Sequence, residues 1–134
     1  MGKLAFAVMI ALAAQTAAQE PATPPAPVMV FFDWSKPDIR SDDRAVLDSV
    51  VAAYRQRPGE HLQLSGHSDR SGSPAVNRAA ALRRAQRVRS ELEQRGIPRN
   101  AMRIASFGEE HPLVPTEDGV REVQNRRVVI TFEE

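Results

Sequence analysis

The chain has 134 residues, 42% of them hydrophobic, with no cysteine and a formal net charge of +1. That length suffices for one domain with a modest core, and is too short for a second domain or a membrane barrel beside it. The missing cysteine excludes disulfides, thiolate metal sites, a Cys nucleophile and a lipid-modified N-terminal cysteine. The near-neutral balance argues against a nucleic-acid binder, which carries a basic excess.

Residues 1–18 read as a signal peptide: Lys3 gives the basic start, Leu4 to Ala14 the apolar run, and Thr16, Ala17 and Ala18 the small residues for cleavage after Ala18. Eleven apolar residues fall short of the roughly 20 that span a bilayer, so an uncleaved anchor is the second reading. Loss of 1–18 removes only Lys3 from the charged residues and leaves the mature chain formally neutral. Residues 19–27 hold four prolines in nine positions and form a stiff linker. The domain proper is expected over 28–134.

Val28 to Phe32 is a continuous apolar run, expected as a buried strand. Ser41 is the expected N-cap of a first helix, with Asp42 and Asp43 in its first turn. Leu47, Val50, Val51 and Tyr54 make its apolar stripe, and Pro58-Gly59 ends it. Leu62 and Leu64 alternate with polar neighbours in a short strand that delivers the chain to the turn Gly66-His67-Ser68-Asp69-Arg70-Ser71-Gly72.

Pro74 suits the first turn of a second helix, from about Ala75 to Arg95, whose stripe is Ala81, Ala85, Val88 and Leu92 and whose end is Gly96. Asn77 and Arg84 are seven apart, nearly two turns, and share another face of it. Met102 to Phe107 is a third strand, Gly108 to Gln124 a long acidic loop, and Asn125-Arg126-Arg127 opens a last strand in which Val128, Ile130 and Phe132 alternate with Val129 and Thr131. The order β-α-β-α-β-β predicts a two-layer α/β (α+β) sandwich on a mixed sheet.

Two charges stand out. Asp69 in the turn and Arg84 in the helix after it supply an anionic acceptor and a cationic fork, the pair a zwitterionic amino-acid group needs. Structural readings stand beside this one: Asp69 as a turn cap or a partner of Arg70, and Arg126 as an ion-pair partner of the acidic loop. His67 and Asp69 form His-x-Asp, but two ligands two residues apart do not make a metal site, and neither a metal nor any other cofactor is expected. Residues 78–103 hold eight arginines against two acids, and 104–134 hold seven acids against three arginines. These regions are expected to pack together and pair, the alternative being a basic surface facing an anionic polymer.

Phe31-Phe32-Asp33, Gly66-His67-Ser68-Asp69 with Gly72, Asn77 with Arg84-Ala85, Gly108-Glu109 with Pro112, and Asn125-Arg126-Arg127-Val128 together resemble the OmpA-like peptidoglycan-binding domain shared by OmpA, Pal and MotB. The resemblance spans about residues 28–132. It implies non-catalytic, non-covalent binding of peptidoglycan through the diaminopimelate of its peptide stem. Asp69 would receive the ammonium and Arg84 the carboxylate, with further contacts from Asn77, Arg126, Trp34 and Ser35. Ser68 stands where the family often has Thr, Val76 where it often has Tyr, and Ala80 and Ala81 where Leu and Ser are usual, while Trp34 is unusual at its place. The implied setting is the periplasm, at the cell wall or outer membrane, with peptidoglycan and other envelope proteins as partners. A secreted hydrolase of wall material and an envelope adaptor remain the alternatives.

Overall fold

A computed structural model describes residues 23–134 together with Gly2. Apart from Gly2, the expected signal peptide lies outside the described residues, as does the linker before Thr23. Within the rest, four strands and two helices follow the expected order: β1 (Val28–Phe31), α1 (Arg44–Arg55), β2 (His61–His67), α2 (Pro74–Gln94), β3 (Met102–Gly108) and β4 (Arg127–Glu133). The sheet order is β1-β4-β2-β3, with β2 and β3 parallel and β4 antiparallel to both β1 and β2. The parallel pair exists because α2 crosses over between its strands, whereas β4 returns from the long loop in the opposite sense.

Alternation decides which face of the sheet is covered. Leu62 and Leu64 of β2 and Val128, Ile130 and Phe132 of β4 are buried, and they meet Leu47, Val50 and Val51 of α1 and Ala85, Val88 and Leu92 of α2. Phe32, just past β1, is fully buried beneath the loop that follows. One residue fixes how closely α2 lies on β2. A Cβ on Gly66 would overlap the carbonyl group of Ala81, so only glycine admits this approach.

The first helix starts later than Ser41 suggests. Ser41–Asp43 form a 3-10 turn, and neither Arg40 nor Asp43 caps with its side chain. The Asp43 carboxylate instead accepts the Phe31 backbone N–H at 3.0 Å, satisfying a donor at the end of β1. At α2 the cap is Ser73, whose hydroxyl accepts from the Val76 N–H at 3.2 Å, and Pro74 follows at the first helical position.

The two charge-segregated regions meet only locally. Arg78 pairs with Glu110, while Arg87 and Arg95 both pair with Glu91 and Arg99 pairs with Glu93, inside the basic region itself. Elsewhere in the long loop Asp118 pairs with Arg70, and Glu109 binds Asn77.

Candidate binding site

A cleft of about 200 Å³ opens where the loop after β1, the turn after β2 and the first half of α2 converge. Its wall includes Trp34, Ser35, Asp69, Asn77 and Arg84, five of the six residues singled out in the sequence. Arg126, the sixth, is not on that wall. Its Nε donates to the Phe32 carbonyl at 3.0 Å and its Nη1 to Asp69 Oδ2 at 2.7 Å, so it acts from behind.

The turn that carries Asp69 is set by a break in register. At Gly66/His67 the pairing of β2 with β3 shifts, and the Ser68 N–H donates to the Gly108 carbonyl at 2.8 Å. Gly108 has φ +56°, in the left-handed region, and a Cβ there would come within 3.2 Å of the Arg78 backbone. This turns the chain off the sheet and brings Asp69 to the cleft.

Asp69 is 2% exposed. Its Oδ1 accepts the Ser71 hydroxyl at 2.6 Å and the Ser71 N–H at 3.2 Å, while Oδ2 accepts Arg126 at 2.7 Å and the Glu122 N–H at 3.2 Å. Four donors fill the four acceptor positions of a carboxylate. Burial alone would raise its pKa, but the hydrogen bonds from Ser71, Arg126 and Glu122 outweigh it and hold the carboxyl below its ordinary value. Arg70, the neighbour considered as its partner, turns instead to Asp118 and the Thr116 carbonyl.

Arg84 is buried, at 6% exposed, yet it pairs with no carboxylate among the described residues. One guanidinium N–H reaches the His67 carbonyl at 3.2 Å, and the group lies 5.9 Å from the centroid of the Phe32 ring. Desolvation pulls its pKa down to about 10, against the field of Asp69 and with that of Arg126 and Arg83. Asp69 and Arg84 thus share the cleft without closing on each other. The space between a filled carboxylate and an unfilled guanidinium favours a group bearing a carboxylate of its own.

Asn77 holds the cleft's shape. Its Oδ1 accepts the Gly72 N–H at 3.0 Å, and its Nδ2 donates to the Gly72 carbonyl at 2.9 Å and to Glu109 Oε2 at 2.8 Å. The amide clamps the turn to α2 and to the end of β3.

The rim carries an aromatic. Trp34 Nε1 lies 3.4 Å from the Ser71 hydroxyl, and the Arg121 guanidinium stacks 3.4 Å from the ring centroid. Ser35 follows with φ 60°, in the left-handed region rarely occupied without glycine, at the third position of a turn closed from Lys36 N–H to Asp33 carbonyl at 3.3 Å. His67 is neutral: burial first, then Arg127 and His111, lower its pKa to about 4. It stacks on Phe107 with ring centroids 5.4 Å apart.

Sequence reasoning missed three contributors. Ser71 is visible only as a serine two residues after Asp69, a spacing that permits an Asx turn. In the sequence Arg121 is only one of three arginines set against the acids of 104–134. Arg83 is only one of eight arginines over 78–103, but it lines the cleft beside Arg84.

A family model described as the OmpA family matches residues 31–126. A peptidoglycan-associated lipoprotein of Rhizobium meliloti is 37% identical over 100 residues, covering 75% of this chain and 57% of that protein. An outer membrane protein of Gluconacetobacter diazotrophicus is 36% identical over 114 residues, covering 81% of this chain and 30% of that protein. The chain therefore spans less than two thirds of either relative. Among solved structures, the peptidoglycan-associated lipoprotein of Burkholderia pseudomallei superposes with a TM-score of 0.72 at 27% identity, covering 78% of this chain and 89% of that one. The periplasmic domain of Helicobacter pylori MotB shares the fold, with a TM-score of 0.65 at 22% identity over 84% of this chain and 78% of that one. The matched span begins at the last residue of β1 and ends at the arginine that holds Asp69, taking in the whole cleft wall, and on that ground the chain belongs to the OmpA family.

Proposed function

We propose that this chain is a non-catalytic module that binds peptidoglycan non-covalently through the zwitterionic end of diaminopimelate on the peptide stem. Arg84 carries the reading. It is a desolvated guanidinium with no carboxylate partner among the described residues, facing an open cleft, and a ligand carboxylate would supply one. The similarity to peptidoglycan-associated lipoproteins supports the choice of polymer.

In this reading the ligand ammonium approaches Asp69 by taking the place of the Ser71 hydroxyl on Oδ1, while Arg126 keeps Oδ2 in position. Asn77 fixes the turn, and Trp34 and Ser35 close the side from which the peptide enters. The setting that goes with it is the periplasm, at the wall or outer membrane, reached by cleavage after residue 18. The described domain follows a proline-rich linker there, with other envelope proteins as further partners.

Co-sedimentation with diaminopimelate-type sacculi tests it. Arg84→Ala is expected to abolish sedimentation while far-ultraviolet circular dichroism stays unchanged. Loss of one partner of a desolvated charge pair costs about 2 to 5 kcal/mol, enough to turn micromolar binding into none detectable. Undiminished sedimentation of a folded Arg84→Ala variant would sink the assignment.

A further inference from the structure

Beside the cleft lies a smaller recess of about 90 Å³, lined by Ser35, Lys36, Pro37, Ala80, Arg83 and Arg84. Four of these six, Ser35, Ala80, Arg83 and Arg84, also line the cleft, so the two spaces adjoin. Three cations and no acid form this wall.

On the same helix Arg78 and Arg87 each hold a carboxylate, as does Arg95 just past its end. Among the described residues Lys36, Arg83 and Arg84 enter no ion pair, and Asp33, in the loop that carries Lys36, turns to Arg40 at 4.0 Å. The loop that places Lys36 here does so through Ser35 at φ 60°, a conformation that costs about 1 to 3 kcal/mol and persists only where its surroundings require it. Ala80 lines both spaces, and its side chain is a single methyl. Cations brought together at a backbone cost, with no anion of their own, define an anion site.

We infer that this recess holds a second carboxylate of the same peptide, so that the chain distinguishes stems in which that group is free from stems in which it is amidated. The inference rests on the reading of Arg84 as the clamp for the first carboxylate. A γ-linked glutamyl residue beside diaminopimelate offers the chemistry. Its α-carboxylate is ionised when free and neutral as a carboxamide, and the recess, having no acceptor side chain but the Ser35 hydroxyl, favours the anion.

The test uses two synthetic stem tripeptides, identical except that the glutamyl α-carboxylate of one is a carboxamide, titrated calorimetrically into the full chain. The wild-type protein is expected to prefer the free acid about tenfold at low salt, with the preference shrinking as salt rises. The double variant Lys36→Gln/Arg83→Gln is expected to bring the ratio of the two affinities to within about twofold. Ala80→Leu, which fills the junction and alters no charge, is expected to reduce the ratio as well. The ratio is the readout, so a general weakening shared by both peptides does not imitate the effect. Equal binding of both peptides by the wild-type protein, or a ratio unchanged in the double variant, overturns the recess while leaving the Arg84 reading intact. If neither peptide binds, both readings fall together.

Discussion

Asp69 and Arg126 meet at 2.7 Å with side chains only 3% and 8% exposed, and this contact joins the turn after β2 to the start of β4 across the end of the sheet. Arg126 also holds the Phe32 carbonyl, so one guanidinium ties three segments that are far apart in sequence. Breaking a buried pair by removing one member leaves the other charge uncompensated and typically costs about 3 to 5 kcal/mol. Arg126→Met is therefore expected to lower the free energy of unfolding by that amount in urea titrations. The double variant Asp69→Leu/Arg126→Met should lose less than the two single losses combined, with a coupling above about 1.5 kcal/mol. Strictly additive losses would mean that the contact carries no energy of its own.

Asn77 yields a prediction that separates holding a ligand from holding the protein. Its three side-chain hydrogen bonds all go to Gly72 and Glu109. Asn77→Ala removes three hydrogen bonds around a buried group and should cost about 2 to 3 kcal/mol of stability in the absence of any ligand. A variant as stable as the parent, yet defective in sedimentation, would return Asn77 to the role of a direct ligand contact.

These two residues also show how far the sequence could be read. The strands and helices were legible because their apolar spacing is strongly periodic: Leu62 with Leu64, Val128 with Ile130 and Phe132, and Ala81, Ala85, Val88 and Leu92 are all buried where that spacing puts them. The start of the first helix, past a 3-10 turn over Ser41–Asp43, is not legible in the sequence, because the Asp43 carboxylate serves β1 instead of its own helix, a contact between residues 12 apart that no local pattern records. In the cleft, residue identity and helical phase gathered Asp69, Asn77 and Arg84. What they could not supply is pairing. That Asp69 is already occupied by Arg126, 57 positions away, follows only from the return of β4 beside β2, whereas its bond with Ser71 is local to the turn.

Gly66 is the point where helix and sheet touch most closely. A methyl group there would overlap the Ala81 carbonyl and press on the Ala85 side chain, 3.3 Å away. The obstacle is backbone and cannot rotate aside. Gly66→Ala is expected to cost about 3 kcal/mol, toward the upper end for overpacked cores, and to weaken wall binding by lifting Arg84 away from the turn. A melting temperature within about 2 °C of the parent would show that α2 rides outward freely.

His67 should make the fold acid-sensitive before its carboxylates do. Its pKa in the folded chain is lowered to about 4 from an ordinary 6.5, by burial first and then by Arg127 and His111, and its Nδ1 has no partner among the described residues. The folded state thus binds this proton less readily than the unfolded one. The stability it contributes is full above pH 6.5 and is lost as pH falls from there toward 4, by about 3 kcal/mol in all. Asp69 behaves in the opposite sense, its folded pKa being depressed by hydrogen bonds, and its contribution is lost only at lower pH. His67→Phe, which can keep the stack on Phe107, is expected to flatten the urea midpoint between pH 7 and 4. An unchanged slope in that variant would assign the acid sensitivity elsewhere.

Trp34 is the single tryptophan of the chain, which makes its fluorescence a local report on the rim of the cleft. In the free protein its indole is stacked by the Arg121 guanidinium and aimed at the Ser71 hydroxyl, itself bound to Asp69. An ammonium that replaces the Ser71 hydroxyl on Asp69 breaks this chain at its middle, and the indole loses a polar partner. Titration with diaminopimelate is therefore expected to change both the intensity and the wavelength of emission in a saturable way. Arg84→Ala should abolish the change, because the ligand no longer stays. Arg121→Ala should alter the starting emission but leave the saturable change, because the stack lies outside the Asp69 chain. Binding detected by calorimetry with no change in emission would place the ligand ammonium away from Ser71, and would leave Arg84 as the part of the site that stands.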